Sequence, residues 1–217
     1  MERYDINLER RAEIGRERRA RTRAQIVAAA FELFGEEGGL YARIEDIAAK
    51  AGVTRATFYN HFAGMAELRD ALTYELTHDF LTAVSLTILE LADPRAKAAV
   101  AFRFYLHRAR ADRSWAWSIL NMSANGVLFG AETQRHAQET VREGMEAGVL
   151  SLAVSELGRD LFLGTAIAAI AAMLRENLPG DYPELVTEHI LRGLGVPAEE
   201  ARGFARMPMP RLVTVQS

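Results

Sequence analysis

The 217-residue sequence contains no cysteine. That excludes a disulfide framework, a thiolate zinc or iron–sulfur site and a cysteine nucleophile. Histidine is sparse and scattered, at His61, His78, His107, His136 and His189, so no metal site is expected. All six prolines lie at Pro94 or later, and no Asn-Gly pair sits between alternating apolar runs. Long uncharged runs are few, at residues 114–131 and 161–174. The first holds Asn121, Asn125, Gly126 and Gly130 and the second is short, so neither is expected to span a bilayer. The charged opening Met1-Glu2-Arg3-Tyr4-Asp5 leads into no apolar stretch, which predicts no secretory signal and a cytoplasmic location.

What is present is an ordinary globular balance, 49% apolar and 25% charged, enough for a core without staples. Valine and isoleucine recur at helical spacing among Ala, Leu, Glu and Arg, which predicts an all-α fold. The net charge of −3 conceals an asymmetry. Seven arginines crowd between Arg10 and Arg23 against only Glu13 and Glu17, while residues 63–217 are mildly acidic. Such a block is either a solvated tail or an arm for phosphate, and the planar guanidinium fork suits phosphate oxygens.

The first helix is expected at Thr22, where Thr22-Arg23-Ala24-Gln25 reads as a capping box ahead of Ile26, Ala29, Ala30, Leu33 and Phe34. A short second helix covers about 44–51 and stops at Gly52, and a third, capped by Thr54, covers about 54–62. A fourth begins after Gly64. Longer helices follow at about 95–111, 114–128, 133–147, 156–178 and 182–193. The expected organisation is an arginine-rich arm (1–21), a three-helix unit (22–64) and a larger helical domain (65–217).

Three short helices with a tight Gly52-Val53 turn between the second and third outline a helix-turn-helix DNA-binding unit. Ala48 is small where two helices must cross, Gly52 supplies a left-handed turn, and Ile47, Val53 and Phe58 fill a small core. Short polar residues open the third helix, as entry into a major groove requires. Thr54, Arg55, Ala56, Thr57 and Asn60 are the candidates for base edges. Arg55 can pair a guanine and Asn60 an adenine, with Ala56 and the Thr57 methyl against thymine methyls.

The residues Asp46-Ile47-Ala48, Ala51-Gly52-Val53 and Phe58-Tyr59-Asn60-His61-Phe62 make residues 22–72 resemble the N-terminal domain of the tetracycline-repressor family of bacterial transcription regulators. Gly144-Met145-Glu146-Ala147-Gly148-Val149-Leu150 is similar to the family's segment before its last two helices. The resemblance implies phosphate contacts from Tyr59 and His61, against the alternatives of packing on the first helix and of a plain surface histidine. It departs at Arg43, where Ser or Thr often caps the second helix, and at Met65, where a lysine often meets a phosphate. Arg43 can touch phosphate directly, and the arginine arm can offset the missing lysine.

The resemblance further implies a homodimer formed through the last two helices and a small-molecule pocket in the larger domain. On residues 156–178 the apolar stripe is Phe162, Ala166, Ala169, Ile170 and Met173, and on 182–193 it is Leu185, Val186, His189 and Ile190. These fit an intersubunit four-helix bundle or, alternatively, an internal core. Phe102, Tyr105, Trp115, Ile119, Met122 and Phe129, with His107, Asn121 and Asn125 as polar points, suit a cavity for a hydrophobic or aromatic effector, though such stripes also make plain core.

Two other classes compete. A metal-dependent all-α enzyme would use paired Glu-x-x-His motifs, and Glu75-Leu76-Thr77-His78 is a single copy. A helical interaction module would bind no DNA. No HExxH, GxSxG or phosphate loop occurs, so the expectation is a non-enzymatic, cofactor-free, ligand-responsive repressor of a palindromic operator on double-stranded DNA.

Overall fold

The computed structural model describes residues 2–123 and 128–215, with side chains from Arg10 onward. Among these residues there is no strand, and helices follow one another almost without interruption. The N-terminal part holds α1 (Glu2–Phe34), a 3-10 turn (Gly39–Tyr41), α2 (Ile44–Lys50), α3 (Arg55–Tyr59) and α4 (Met65–Leu89). The remainder holds α5 (Pro94–Ala111), α6 (Arg113–Met122), α7 (Gly130–Glu146), α8 (Ser155–Arg175), α9 (Tyr182–Gly193) and α10 (Ala198–Arg206).

Two apolar clusters organise these elements. The smaller joins Ile26, Ala30 and Phe34 of α1 to Ile47, Phe58 and Phe62 and to Leu68 and Leu72 of α4. The larger gathers Phe80 and Val84 of α4 with α5, α6, α8 and α9. Each fully buried Phe or Ile stabilises its cluster by roughly 1.5–3 kcal/mol. Helix α4 therefore serves both cores, its first turns in one and its last in the other.

A second link is α6. Its Met122 packs into the small cluster, and Asn121, 5% exposed, donates from Nδ2 to the carbonyls of Phe34 and Glu36 at 2.9 Å each. The Phe34 carbonyl ends α1 and the Glu36 carbonyl lies in the turn after it, so Asn121 holds the end of that helix from the other unit. Gly39 makes room for it, since a Cβ there would collide with the Leu33 carbonyl.

Two expectations are corrected. Helix α1 does not begin at Thr22; the Thr22 hydroxyl donates back to the Arg18 carbonyl at 3.0 Å, as a threonine does inside a helix. Nothing between Glu2 and Thr22 stops the helix, Gly15 being exposed and tolerated. Helix α9 is not the last element, because α10 lays Ala201 and Ala205 against the fold. The uncharged run 161–174 belongs to the 21-residue α8, which by length and composition alone is apolar enough to cross a membrane. Its inner face is packed into the larger cluster instead.

Candidate nucleic-acid interface and ligand cavity

The turn from α2 to α3 depends on Gly52, at φ 67°, which lets the Val53 amide reach the Ala48 carbonyl at 2.9 Å. Ala48, 3% exposed, allows the two helices to approach, and Phe58 is fully buried beneath them. Thr54 caps α3: its Oγ1 accepts from the Thr57 amide at 3.1 Å and lies 2.9 Å from the Thr57 hydroxyl. Packing thereby turns Thr54, Arg55, Ala56, Tyr59 and Asn60 to solvent, with Thr57 half-buried.

The basic groups of this face are already engaged. Arg55 pairs with Glu45 at 3.0 Å and lies over the Tyr59 ring at 5.7 Å, and Arg43 pairs with Asp46 at 3.2 Å. These pairs are exposed, so each is worth about 0–1 kcal/mol and yields readily to a base or phosphate. Arg43 has donors only; it is the Asp46 carboxylate that caps α2, accepting from the Arg43 amide at 2.9 Å. Tyr59 packs its ring at right angles to that of Phe58 and stays 44% exposed. Helix α1 reaches the same surface through Arg19, which donates to the Asn60 carbonyl at 2.8 Å, and Arg23, 5.0 Å over the Phe62 ring. Burial and then these two cations push the His61 imidazole below its ordinary value. That shift favours the neutral imidazole in the free protein, a form that keeps one N–H donor.

The larger unit encloses a cavity of about 80 Å³ between α4, α5, α7 and α8. Of the expected ligand residues, Phe102, Tyr105 and Phe129 line it. Trp115 stands behind Tyr105 at 6.2 Å between rings, Ile119 is fully buried core, and Met122 belongs to the small cluster. Asn125 lies outside the described residues. His107 points elsewhere, to Glu184 at 3.0 Å. Burial alone would raise Glu184, but hydrogen bonds from Arg103 and the charge of its neighbours hold it below the usual carboxylate range. Arg103 is thus a buried clamp between α5 and α9, donating also to the Met207 carbonyl at 2.6 Å, and not an open anion site. The walls that the sequence does not reveal are Leu81, Val84 and Ser85 of α4 and Thr133, His136 and Thr140 of α7. Their polar members read as a solvent face until α4 and α7 are laid side by side.

The residues expected at a dimer interface divide by burial. Phe162, Ala166, Ala169, Ile170 and Ile190 are at most 6% exposed within the single chain, so they are core and have no surface to offer a partner. Met173, Leu185 and Val186 are half-buried and His189 is exposed. The outward face of α8 carries Leu157, Leu161, Gly164, Ala168 and Ala171 instead, beside α9. Only 39% of the most apolar stretch of α8 is buried.

The pair Glu75 and His78 does not converge on one point. Glu75 meets Arg23 at 3.5 Å, while His78 meets Glu132 at 3.0 Å and stacks on Tyr74. Among the described residues no group of three or more His, Asp or Glu side chains is placed to hold a metal ion.

Residues 26–72 match the family model described as bacterial regulatory proteins, tetR family, and residues 93–207 match that of a tetracyclin repressor-like C-terminal domain. The chain is similar to the probable HTH-type transcriptional regulator ArpR of Pseudomonas putida, 47% identical over 75 residues, 34% of this chain and 35% of ArpR. It is similarly 47% identical over 66 residues to the HTH-type transcriptional regulator TtgR, also of Pseudomonas putida, 30% of this chain and 31% of TtgR. These alignments span about a third of each relative. Over far more of the chain, the fold superposes on RolR in complex with resorcinol, with a TM-score of 0.75 and 26% identity, covering 91% of this chain and 99% of that one. FadR of Bacillus halodurans shares the fold at a TM-score of 0.59 and 22% identity, covering 80% of this chain and 94% of that one.

Proposed function

The chain belongs to the tetR family of bacterial regulatory proteins, and on that premise we propose that it is a homodimeric, cytoplasmic repressor that leaves a palindromic operator when a small aromatic effector binds. The observation that carries the reading is the exposed start of α3. Thr54, Arg55, Ala56, Tyr59 and Asn60 stand on a rigid Gly52 turn, flanked by arginines of α1. Base edges are read by Arg55, Thr57 and Asn60, while Arg43, Tyr59 and His61 fix the register on phosphates. Residues 1–21 act as an arm, 22–64 as the reading head and 65–217 as the effector-binding and dimerising body.

Two heads must stand about 34–36 Å apart, or a multiple, to enter successive major grooves. The α8–α9 face is the dimer surface that sets this distance, since it leaves Leu157, Leu161 and Leu185 incompletely covered. A ligand between α4 and α7 shifts α4, and with it the head, because α4 belongs to both cores. RolR, whose ligand is resorcinol, supports a small aromatic effector for this chain.

Selection of bound duplexes from a random pool tests the reading. The expected product is an inverted repeat with one half-site per head. Enrichment of no sequence, at low salt where phosphate attraction is strongest, would leave a helical module without DNA and overturn it.

A further inference from the structure

The cavity between α4, α5, α7 and α8 combines apolar walls with a specific set of hydroxyls. None of its described lining residues is Asp, Glu, Lys or Arg. Two hydroxyls are buried in it, on Tyr105 and Thr133, which are 8% and 4% exposed. The Thr133 hydroxyl lies close enough to act on the Tyr105 phenol, yet neither hydroxyl meets hydrogen-bond geometry with any described protein group. One turn farther along α7, His136 Nδ1 lies 3.4 Å from the Ser85 hydroxyl of α4. Ser85, Ile88, His136 and Thr140 also border an outer groove with Glu139 and Glu143, so the Ser85–His136 pair stands at the mouth.

We infer that this cavity takes a small, neutral, monocyclic phenol: its ring lies among Phe102, Phe129 and Phe162, and its hydroxyl joins Tyr105 to Thr133. A second ring hydroxyl meets Ser85 and His136 as the mouth closes. The inference rests on the ligand-responsive reading above and specifies the ligand of that same cavity.

Size, charge and hydrogen bonding each narrow the choice. About 80 Å³ is below the roughly 150 Å³ of an apolar cavity that takes benzene, so a single small ring, with the walls yielding a little, is the upper limit. That limit is far short of a long acyl chain. No described Lys or Arg lines the cavity, and its one basic wall residue, His136, stands at the mouth, while the charges of Arg108 and Glu132 act on Tyr105 in opposite directions. A carboxylate among the buried rings therefore has no direct partner and is disfavoured. A phenolic hydroxyl donates and accepts at once, so it can bridge the two orphaned hydroxyls in either sense, whereas a ketone can only accept from them and leaves their own acceptor sites unused. Burial keeps the Tyr105 phenol well above its ordinary value, so the tyrosine side meets the ligand as a neutral hydroxyl.

The test is calorimetric titration of the full chain with phenol, the three dihydroxybenzenes, toluene and benzoate, repeated on Tyr105→Phe and Thr133→Val. Phenol and at least one dihydroxybenzene should bind, toluene should bind about tenfold more weakly, and benzoate should not bind. Each isosteric variant should weaken phenol by about tenfold and leave toluene unchanged. Because neither hydroxyl closes a hydrogen bond within the protein, melting temperatures should move by no more than about 2–4 °C. Toluene as tight as phenol, binding of benzoate, no heat from any phenol, or variants with wild-type phenol affinity would each overturn the inference. Operator-release titrations keep the two readings apart. Phenol that binds without weakening DNA affinity supports the ligand class and removes the regulatory reading. Release by a charged or long-chain compound, with phenol inert, does the reverse.

Discussion

In the reading head, the chain neighbours Phe58 and Tyr59 face opposite ways, one fully buried and the other 44% exposed. In the body, Ala98, Phe102 and Tyr105 all face inward, and the cavity opens among them. The head therefore keeps its chemistry outside its core and the body keeps its chemistry inside. An outward site is set by which residues a short helix leaves exposed, and periodicity reports that directly. An inward site is set by where large side chains from several helices fail to meet, which depends on their relative placement.

The sharpest way to break this contrast is on α8, where one helix has both kinds of face. Leu157→Glu on the outward face, where Leu157 is 46% exposed, should dissociate the dimer while leaving the protomer folded, because a carboxylate in a shared apolar surface costs several kcal/mol. Ile170→Ala, at 0% exposure on the inward face, should instead lower the stability of the protomer by about 2–5 kcal/mol. Sedimentation and thermal melting separate the two. A dimer that survives Leu157→Glu would move the interface elsewhere.

That division also explains what is legible in the sequence. The bounds of α9 match the expected ones and α5 starts one residue early, because Pro183 and Pro94 mark their first turns. The turn at Gly52 and the exposed start of α3 follow from local chemistry alone. Helix α10 lies beyond the expected last helix although its residues do signal one: Pro197 precedes it, Ala198, Ala201, Phe204 and Ala205 recur at helical spacing, and acids open and Arg206 closes it. On α8 the most apolar stripe reads as the dimer face, yet large side chains such as Phe162 and Ile170 are those that the core takes first. The small residues Gly164, Ala168 and Ala171 stay outside. Asn121 reads as a cavity residue and is the cap that ties α6 to α1, a role that only the packed fold reveals.

The arm offers the next largest effect. Deleting residues 1–17 removes Arg3, Arg10, Arg11 and Arg16 but keeps Arg19 against the Asn60 carbonyl. The fold should persist, since among the described side chains of α1 the first fully buried one is Ile26. DNA affinity should fall, and the slope of log K against log salt should flatten by about 0.9 for each phosphate no longer neutralised. An unchanged slope would make the arm a solvated extension.

Within the head, Arg55→Ala should cost about 1–3 kcal/mol at one base pair and relax its preference there. Tyr59→Phe should weaken every sequence alike, because a phosphate contact carries no base identity. Competition assays on the selected site and single-base variants distinguish them. If both mutants lose the same specificity, the division between reading and positioning residues fails.

The smallest effect is that of pH. His61 lies below its ordinary value in the free protein, so it takes up a proton only on acidification. A phosphate beside it raises that value again, so binding takes up a proton. Operator affinity should then increase as pH falls below about 6.5, by no more than about tenfold for each unit by which DNA shifts the imidazole. In His61→Asn the dependence should vanish. Folding itself runs the other way: the unfolded chain binds the proton more readily, so this group's contribution to stability declines over the same fall in pH.

The central claim is that the outward site of the head and the inward site of the body are coupled through α4 and Asn121. Linkage makes this measurable, because a ligand that releases DNA must itself be weakened by DNA to the same degree. Titrating the protein calorimetrically with its phenolic ligand, alone and saturated with operator duplex, tests that equality. The account predicts weaker ligand binding on DNA, typically by about 5–150-fold, matched by the drop in DNA affinity at saturating ligand. Equal ligand affinity in the two titrations would contradict it, however tightly the chain bound each partner alone.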